Sequence, residues 1–196
     1  MRLTAVAALV KHPTGLCLGD ADKHLTWRVR GDFQHLRAVT QNRVCVVGRK
    51  TFEILPDTFK VRTSLSPDFL VLSRSILGYI HKGSVIQART QAHALGVLRS
   101  GRFGKAKDVI VLGGAQVYRE WWPICSRAII TLIHKCPTDI TSAVHWMDEG
   151  NVDLAPGMFL VNEQKIAAQD GDTSTATILT FERHPGFHVK AQALGA

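Results

Sequence analysis

Three apolar runs in this 196-residue chain end in residues able to hold an anion. Val44-Cys45-Val46-Val47 stops at Gly48-Arg49-Lys50-Thr51, Phe69-Leu70-Val71-Leu72 at Ser73-Arg74-Ser75, and Val109-Ile110-Val111-Leu112 at Gly113-Gly114-Ala115. Paired glycines let backbone N–H groups approach a pyrophosphate with no Cβ in the way. Arg74 offers a planar fork between two hydroxyls, which matches a phosphate monoester, and Arg49 and Lys50 add cationic donors. Read alone, Gly113-Gly114 is a tight turn and a single arginine after a strand is a solvated side chain. On three successive strands the pattern points to a dinucleotide with an additional phosphate, the feature that separates NADP from NAD. One carboxylate, Asp32, is placed for proton chemistry, five residues after Trp27 and just behind a long turn-rich segment. A half-buried carboxylate there accepts two parallel hydrogen bonds from an amidine-like heterocycle, more strongly as that ring becomes cationic. Taken alone, Asp32 is an ordinary carboxylate at a helix N-terminus.

To act together, these residues need strands that end on one side of a sheet, where open α/β folds bind ligands. Residues 3–10 read as a buried strand. His12 to Leu25, with Gly15, Gly19, Asp20 and Asp22, reads as a long loop of the functional kind. Gly31-Asp32 opens a helix through Val39, with Phe33, Leu36 and Val39 on its inward face. The three apolar runs read as parallel-sheet strands. Phe52–Ile54 begins a short helix stopped by Pro56, Gln91–Leu98 is another, and Gln116–Trp122 a third closed by Pro123. Shorter strands are expected at Ser84–Gln87 and Ala128–Ile133. Met158–Ala168 and Thr173–Arg183 alternate as an antiparallel hairpin around Gln169-Asp170-Gly171-Asp172. The expected fold is α/β: one domain over residues 1–184 with a mixed, mostly parallel central sheet, an antiparallel C-terminal hairpin and flanking helices. Residues 185–196 read as a flexible tail.

The chain carries 24 Lys and Arg against 16 Asp and Glu, a net charge of +8, which favours anionic partners, nucleic acid among them. The basic residues are scattered. Their densest group, Arg99, Arg102, Lys105 and Lys107, has Phe103 as its one aromatic neighbour and reads as a solvated loop, so no nucleic-acid face is expected. A hydrophobic fraction of 45% with 20% charged residues excludes a disordered chain. No apolar run reaches the roughly 18 residues of a membrane span. Met1 to Val10 lacks a small-residue cleavage site, and a cytoplasmic location is expected. Cys17, Cys45, Cys125 and Cys136 lie far apart, and the one close histidine pair, His184 and His188, falls in the tail, so no metal site is expected. Cys45, inside its apolar run, reads as a packed small hydrophobe.

In their order, the segments of this chain resemble dihydrofolate reductase. They are Val6-Ala7-Ala8, Leu18-Gly19, Leu25-Thr26-Trp27, Asp32 through Thr40, Val46 through Glu53, Leu72-Ser73-Arg74-Ser75, Val111 through Tyr118, Ile130-Thr131-Leu132-Ile133 and Phe181-Glu182-Arg183. The resemblance spans residues 3 to 183. It implies NADPH-dependent reduction of 7,8-dihydrofolate to tetrahydrofolate, with hydride passing from nicotinamide C4 to C6 and a proton to N5. By the same resemblance Asp32 binds the pterin ring nitrogen and 2-amino group and promotes that protonation, and Leu25 and Trp27 sit on a loop that closes over the nicotinamide. Val6, Ala7, Leu36, Leu112, Tyr118 and Thr131 are implied to line or support the pterin pocket. Ala8, Leu18, Gly19, Gly48, Arg49, Lys50, Thr51, Ser73, Arg74, Ser75, Gly113, Gly114, Ala115, Gln116, Val117 and Tyr118 are implied to hold NADPH. Dihydrofolate and antifolate inhibitors are the implied ligands, and a monomer is expected.

The chain departs from the family pattern in three places. Thr26 stands where the family has Pro before the loop tryptophan, and the stretch Asp20-Ala21-Asp22-Lys23 lengthens that loop. Leu65-Ser66-Pro67-Asp68 replaces a Pro-Gly-Arg whose arginine grips the glutamate tail of folate. Arg62, ahead of Lys60, is expected to supply the missing cation. The altered loop and Leu36 imply weak trimethoprim binding, as in divergent bacterial members of plasmid or phage type. The competing readings are a pyrimidine reductase of riboflavin synthesis, which Asp32 after Trp27 argues against, a basic nucleic-acid-binding protein, and a catalytically dead homologue.

Overall fold

The computed structural model describes residues 1–21, 27–60, 63, 65–75, 85–104, 107–138 and 140–184. In chain order these form β1 (Arg2–His12), β2 (Gly15–Asp20), α1 (Arg30–Thr40), β3 (Val44–Gly48), α2 (Arg49–Ile54), α3 (Asp57–Lys60), β4 (Asp68–Leu72) and β5 (Val85–Ala88). They continue with α4 (Gln91–Arg99), β6 (Asp108–Val111), α5 (Ala115–Trp121), β7 (Arg127–Ile133), β8 (Ala143–His145), β9 (Phe159–Ile166) and β10 (Ala176–Glu182).

A strand with no polar interruption has no face to offer water, so both of its faces must be covered. Val44 and Val46 of β3 pack with Ala5, Leu70 and Val109 against Ala94, Leu98, Val117 and Trp121 of α4 and α5. Cys45 and Val47 turn the other way, with Phe69, Val71 and Ile110, onto Val39, Phe52 and Phe59 of α1, α2 and α3. Cys45 is fully buried and its thiol is pushed well above the usual range by burial, as a packed hydrophobe requires. The sheet runs β5-β4-β3-β6-β1-β7-β10-β9. Its pairs are parallel from β5 to β7 and antiparallel at β7–β10 and β10–β9.

Register decides where a ligand can enter. The β1–β6 ladder ends at Ala5 opposite Val111. Beyond it the Leu112 N–H donates to Val46 O (2.8 Å) and the Gly48 N–H to Gly113 O (2.6 Å), while β1 continues beside β7 as far as Val10 opposite Ile133. The chain leaving β6 thus follows β3, and β1 stays with β7. A crevice opens between them at the carboxyl ends of the strands.

Within the stretch expected as a loop from His12 to Leu25, Gly15–Asp20 is a strand. β2 pairs antiparallel with β1, and β8 pairs on its outer side. Gly15 and Gly19, which read as loop residues, carry positive φ (118° and 144°) near its two ends, with Leu16 and Cys17 fully buried between them. Other boundaries move by up to three residues: α2 starts at Arg49 rather than Phe52, β10 at Ala176 rather than Thr173, and α5 starts at Ala115 and passes into a 3-10 turn, Trp122–Ile124, around Pro123. Leu25, Arg62 and the tail from Pro185 lie outside the described residues.

Candidate functional site

Asp32 sits in the first turn of α1, whose N-cap Val29 has no capping side chain. The β9–β10 turn holds the helix start instead: Asp172 accepts from the Arg30 N–H (3.0 Å) and Thr173 from the Arg28 N–H (3.0 Å). Asp172 also accepts from the Gln169 N–H (3.0 Å), and these backbone donors hold its carboxyl below the usual range. Gly31 lets α1 lie close on β9, since a Cβ there would come within 2.5 Å of Ile166 Cγ2. Gly31→Ala should therefore cost about 1–3 kcal/mol of overpacking. The melting temperature should fall by about 2–4 °C per kcal/mol, with part recovered when Ile166 is also cut to Ala.

Thr131 lies two residues beyond Ile129 on β7 and so points to the same face of the sheet, toward α1. Its hydroxyl donates to the Asp32 carboxylate. Burial pushes that carboxyl above the usual range, and the Thr131 bond pulls it part of the way back. Thr131→Val removes the one lowering influence, so NMR titration of the Asp32 carboxyl carbon should show its midpoint move to higher pH.

Val6, Leu112 and Ile129 form the apolar floor beside Asp32, with Leu36 packed against them. Ala7 alternates to the opposite face and packs in the core under α4 and α5, so the structure does not bring its side chain to Asp32. Ala8 packs beside the cluster that buries Trp27 with Val10, Val29, Ile133 and Ala176. Trp27 Nε1 has no hydrogen-bond partner among the described residues. Phe33, expected to face inward, is instead 36% exposed and stands edge-on to Phe59 (5.2 Å between centroids). The Arg37 guanidinium lies over the other ring of that pair, 5.9 Å from the Phe59 centroid. The helical spacing of Phe33 and Arg37, i and i+4, was the sequence signal for this grouping.

Across the crevice, Gly48, Thr51, Gly113, Gly114, Val117 and Tyr118 converge. Gly113 (φ 85°) is joined to Gly114 by a cis peptide, and a Cβ on Gly113 would overlap the Tyr118 ring. A Cβ on Gly114 would reach Thr51 Oγ1 at 3.0 Å, and one on Gly48 would reach Val117 Cγ2 at 3.2 Å. The Tyr118 hydroxyl donates to Val6 O (2.6 Å) and so ties the two walls together. Burial raises its pKa well beyond the usual value, with Cys125 and Asp32 adding to the effect.

The predicted phosphate ligands divide. Lys50, Arg74 and Ser75 are exposed. Arg49 is engaged with both oxygens of Glu53 (2.8 and 3.0 Å). Ser73 is buried and its hydroxyl donates to Ser75 O (2.7 Å), so it shapes the turn. Gln116 reaches along α5 to Glu120 (2.9 Å), and Ala115 is the first residue of that helix. Leu18 is half-buried, and the Gly19 Cα faces open space. Pro67 is buried, and the Lys60 ammonium is tied to Glu53 O (2.9 Å), so neither offers a free cation.

The sequence matches the dihydrofolate reductase family over residues 4–154. The chain belongs to the dihydrofolate reductase family. That family is one of NADPH-dependent oxidoreductases, and the glycine cradle fits its cofactor: without Cβ atoms, Gly48, Gly113 and Gly114 bring two backbone turns together at the carboxyl ends of the strands. The chain is 29% identical over 111 residues to the dihydrofolate reductase of Mycoplasma genitalium, an overlap of 57% of this chain and 66% of that protein's length. It is 29% identical over 131 residues to the dihydrofolate reductase of Neisseria meningitidis serogroup A, covering 67% of this chain and 72% of the other. Among solved structures, dihydrofolate reductase from Enterococcus faecalis complexed with NADP(H) and RAB-propyl superposes with a TM-score of 0.68 at 18% identity, covering 93% of this chain and 96% of that one. The reductase fold therefore extends well past residue 154, into the β9–β10 hairpin that steadies Asp32.

Proposed function

We propose that the protein, in residues 1–184, reduces 7,8-dihydrofolate to 5,6,7,8-tetrahydrofolate with NADPH, as a monomer in the cytoplasm. The observation that carries this reading is Asp32: a half-buried carboxyl on an apolar floor, raised by burial, bonded by Thr131 and facing a glycine cradle. The cofactor supplies the hydride when bound. The chain supplies the rest. Asp32 accepts paired hydrogen bonds from the pterin ring nitrogen and 2-amino group, and its raised proton affinity favours delivery of a proton to N5. Val6, Leu36, Leu112 and Tyr118 enclose the ring, and Leu25 with Trp27 excludes water. Gly48, Thr51, Gly113 and Gly114 hold the pyrophosphate, while Lys50, Arg74 and Ser75 face the additional phosphate.

The test is loss of NADPH absorbance on adding dihydrofolate to the purified protein. Turnover only with the pyrimidine intermediate of riboflavin synthesis would favour the competing reductase. For the glutamate tail, Arg62 remains our assignment, with Arg37, exposed over Phe59, as the second candidate. Loss of a charge-assisted pair of about 1.5–3 kcal/mol should raise KM for dihydrofolate in Arg62→Ala by roughly tenfold or more. An unchanged KM there with a raised one in Arg37→Ala would assign the role to Arg37. The lengthened segment before Trp27 and Leu36 support weak trimethoprim binding. Inhibition at the low concentrations that stop sensitive bacterial enzymes would dispose of that reading.

A further inference from the structure

We infer that Trp146, on the segment between β7 and β9, is a positioning residue of the cofactor cleft that acts through Tyr118. This rests on reading Gly113-Gly114 as the NADPH cradle and is independent of the second substrate.

Trp146 is completely buried although it belongs to a stretch of mostly irregular chain. Its ring stands edge-on to Tyr118 (4.8 Å between centroids) and to Trp122 (5.3 Å). Three polar contacts fix it, one of them from Asn151, whose Nδ2 donates to its carbonyl oxygen (3.4 Å). Its backbone N–H donates to Leu16 O (2.7 Å) on β2, and its indole Nε1–H donates to Leu154 O (3.1 Å). Trp122 is pinned in turn by its own Nε1–H on Pro156 O (2.9 Å).

Tyr118 is thus held on two sides. On one, its ring fills the space that a Cβ on Gly113 would occupy, so any tilt of the ring moves against the glycine turn. On the other, the edge of Trp146 prevents that tilt. The hydroxyl bond to Val6 O fixes the far end of the ring but leaves rotation about that bond free, and Trp146 removes this freedom. Through Leu16 it also ties the cradle to β2, the strand that runs on toward Gly19 and Trp27. One side chain therefore bears on both the glycine turn and β2.

The experiment is NADPH binding by Trp146→Phe and Trp146→Leu, at a temperature where circular dichroism shows each chain folded. Aromatic edge contacts carry about 0.5–1.5 kcal/mol beyond area, and 1.4 kcal/mol is tenfold, so Trp146→Leu should weaken NADPH binding by up to about tenfold. Trp146→Phe, which keeps an aromatic edge on Tyr118, should stay within about twofold of the parent. If the leucine variant does not fold, Trp146→Met takes its place. In a chain already carrying Tyr118→Leu, the same change at Trp146 should have no further effect on NADPH affinity. Equal NADPH affinity in all folded variants, or an undiminished effect without Tyr118, overturns the inference while the proposed function stands. A parent chain that binds no NADPH overturns both.

Discussion

Asp32→Asn should lower kcat with dihydrofolate at neutral pH by about 10²–10⁴-fold, the usual contribution of a positioned acid–base group. Burial raises the carboxyl and the Thr131 hydroxyl only partly offsets it, so its protonated form persists to higher pH than that of an exposed aspartate. The parent's rate should fall as pH rises through that raised value, and the variant should lack this limb. Stability has its own sign. A folded-state pKa above the unfolded one stabilises the fold fully below the unfolded value, and that contribution is lost as pH rises through the folded one. Asparagine does not ionise and escapes the loss. On moving from acid to neutral pH, the melting temperature of Asp32→Asn should therefore improve relative to the parent while its activity collapses. A residue that merely supported the fold would lose both.

Gly113→Ala should have the second large effect, on both binding and stability. The added Cβ falls on the Tyr118 ring, within 2.7 Å of Cζ, and φ of 85° is a conformation that L side chains rarely adopt. Each penalty is of order 1–3 kcal/mol, from overpacking and from the left-handed backbone. Tyr118 has no easy retreat, because its hydroxyl is bound to Val6 O and Trp146 stands behind it. NADPH affinity should drop by more than tenfold, with a melting temperature lower by roughly 4 °C or more. Gly114→Ala is the instructive contrast. Its Cβ would meet only Thr51 Oγ1, at 3.0 Å, and the loss should be smaller and confined to cofactor binding.

The parallel centre of the fold was legible because burial on both faces leaves an unbroken apolar run, and β3, β4 and β6 carry little else. β2 was hidden by the glycines near its ends, which read as turn residues although they mark a strand whose core, Leu16 and Cys17, is fully buried. β8 is three half-buried residues that make sense only beside β2. The glycine cradle and Asp32 could be read locally because each is a short motif. What steadies them could not: Asp172 caps α1 from the far end of the chain, Ile166 fixes the height of Gly31, and Trp146 reaches Tyr118 from another segment. Sequence also assigns residue types without directions. Ala7 faces away from Asp32, Ser73 turns its hydroxyl into its own turn, and Arg49 is held by Glu53. Lys50 and Arg74, both exposed just past the carboxyl ends of β3 and β4, are where the proposed function puts part of the surplus of positive charge to use.

The central claim is tested most directly by following a label. NADPH carrying deuterium at the transferable C4 position is incubated with the protein and 7,8-dihydrofolate, and the product is examined by NMR. The account predicts tetrahydrofolate with deuterium at C6, formed by the parent and not at a comparable rate by Asp32→Asn at neutral pH. A folded protein that binds NADPH yet leaves dihydrofolate unlabelled and unreduced would contradict it.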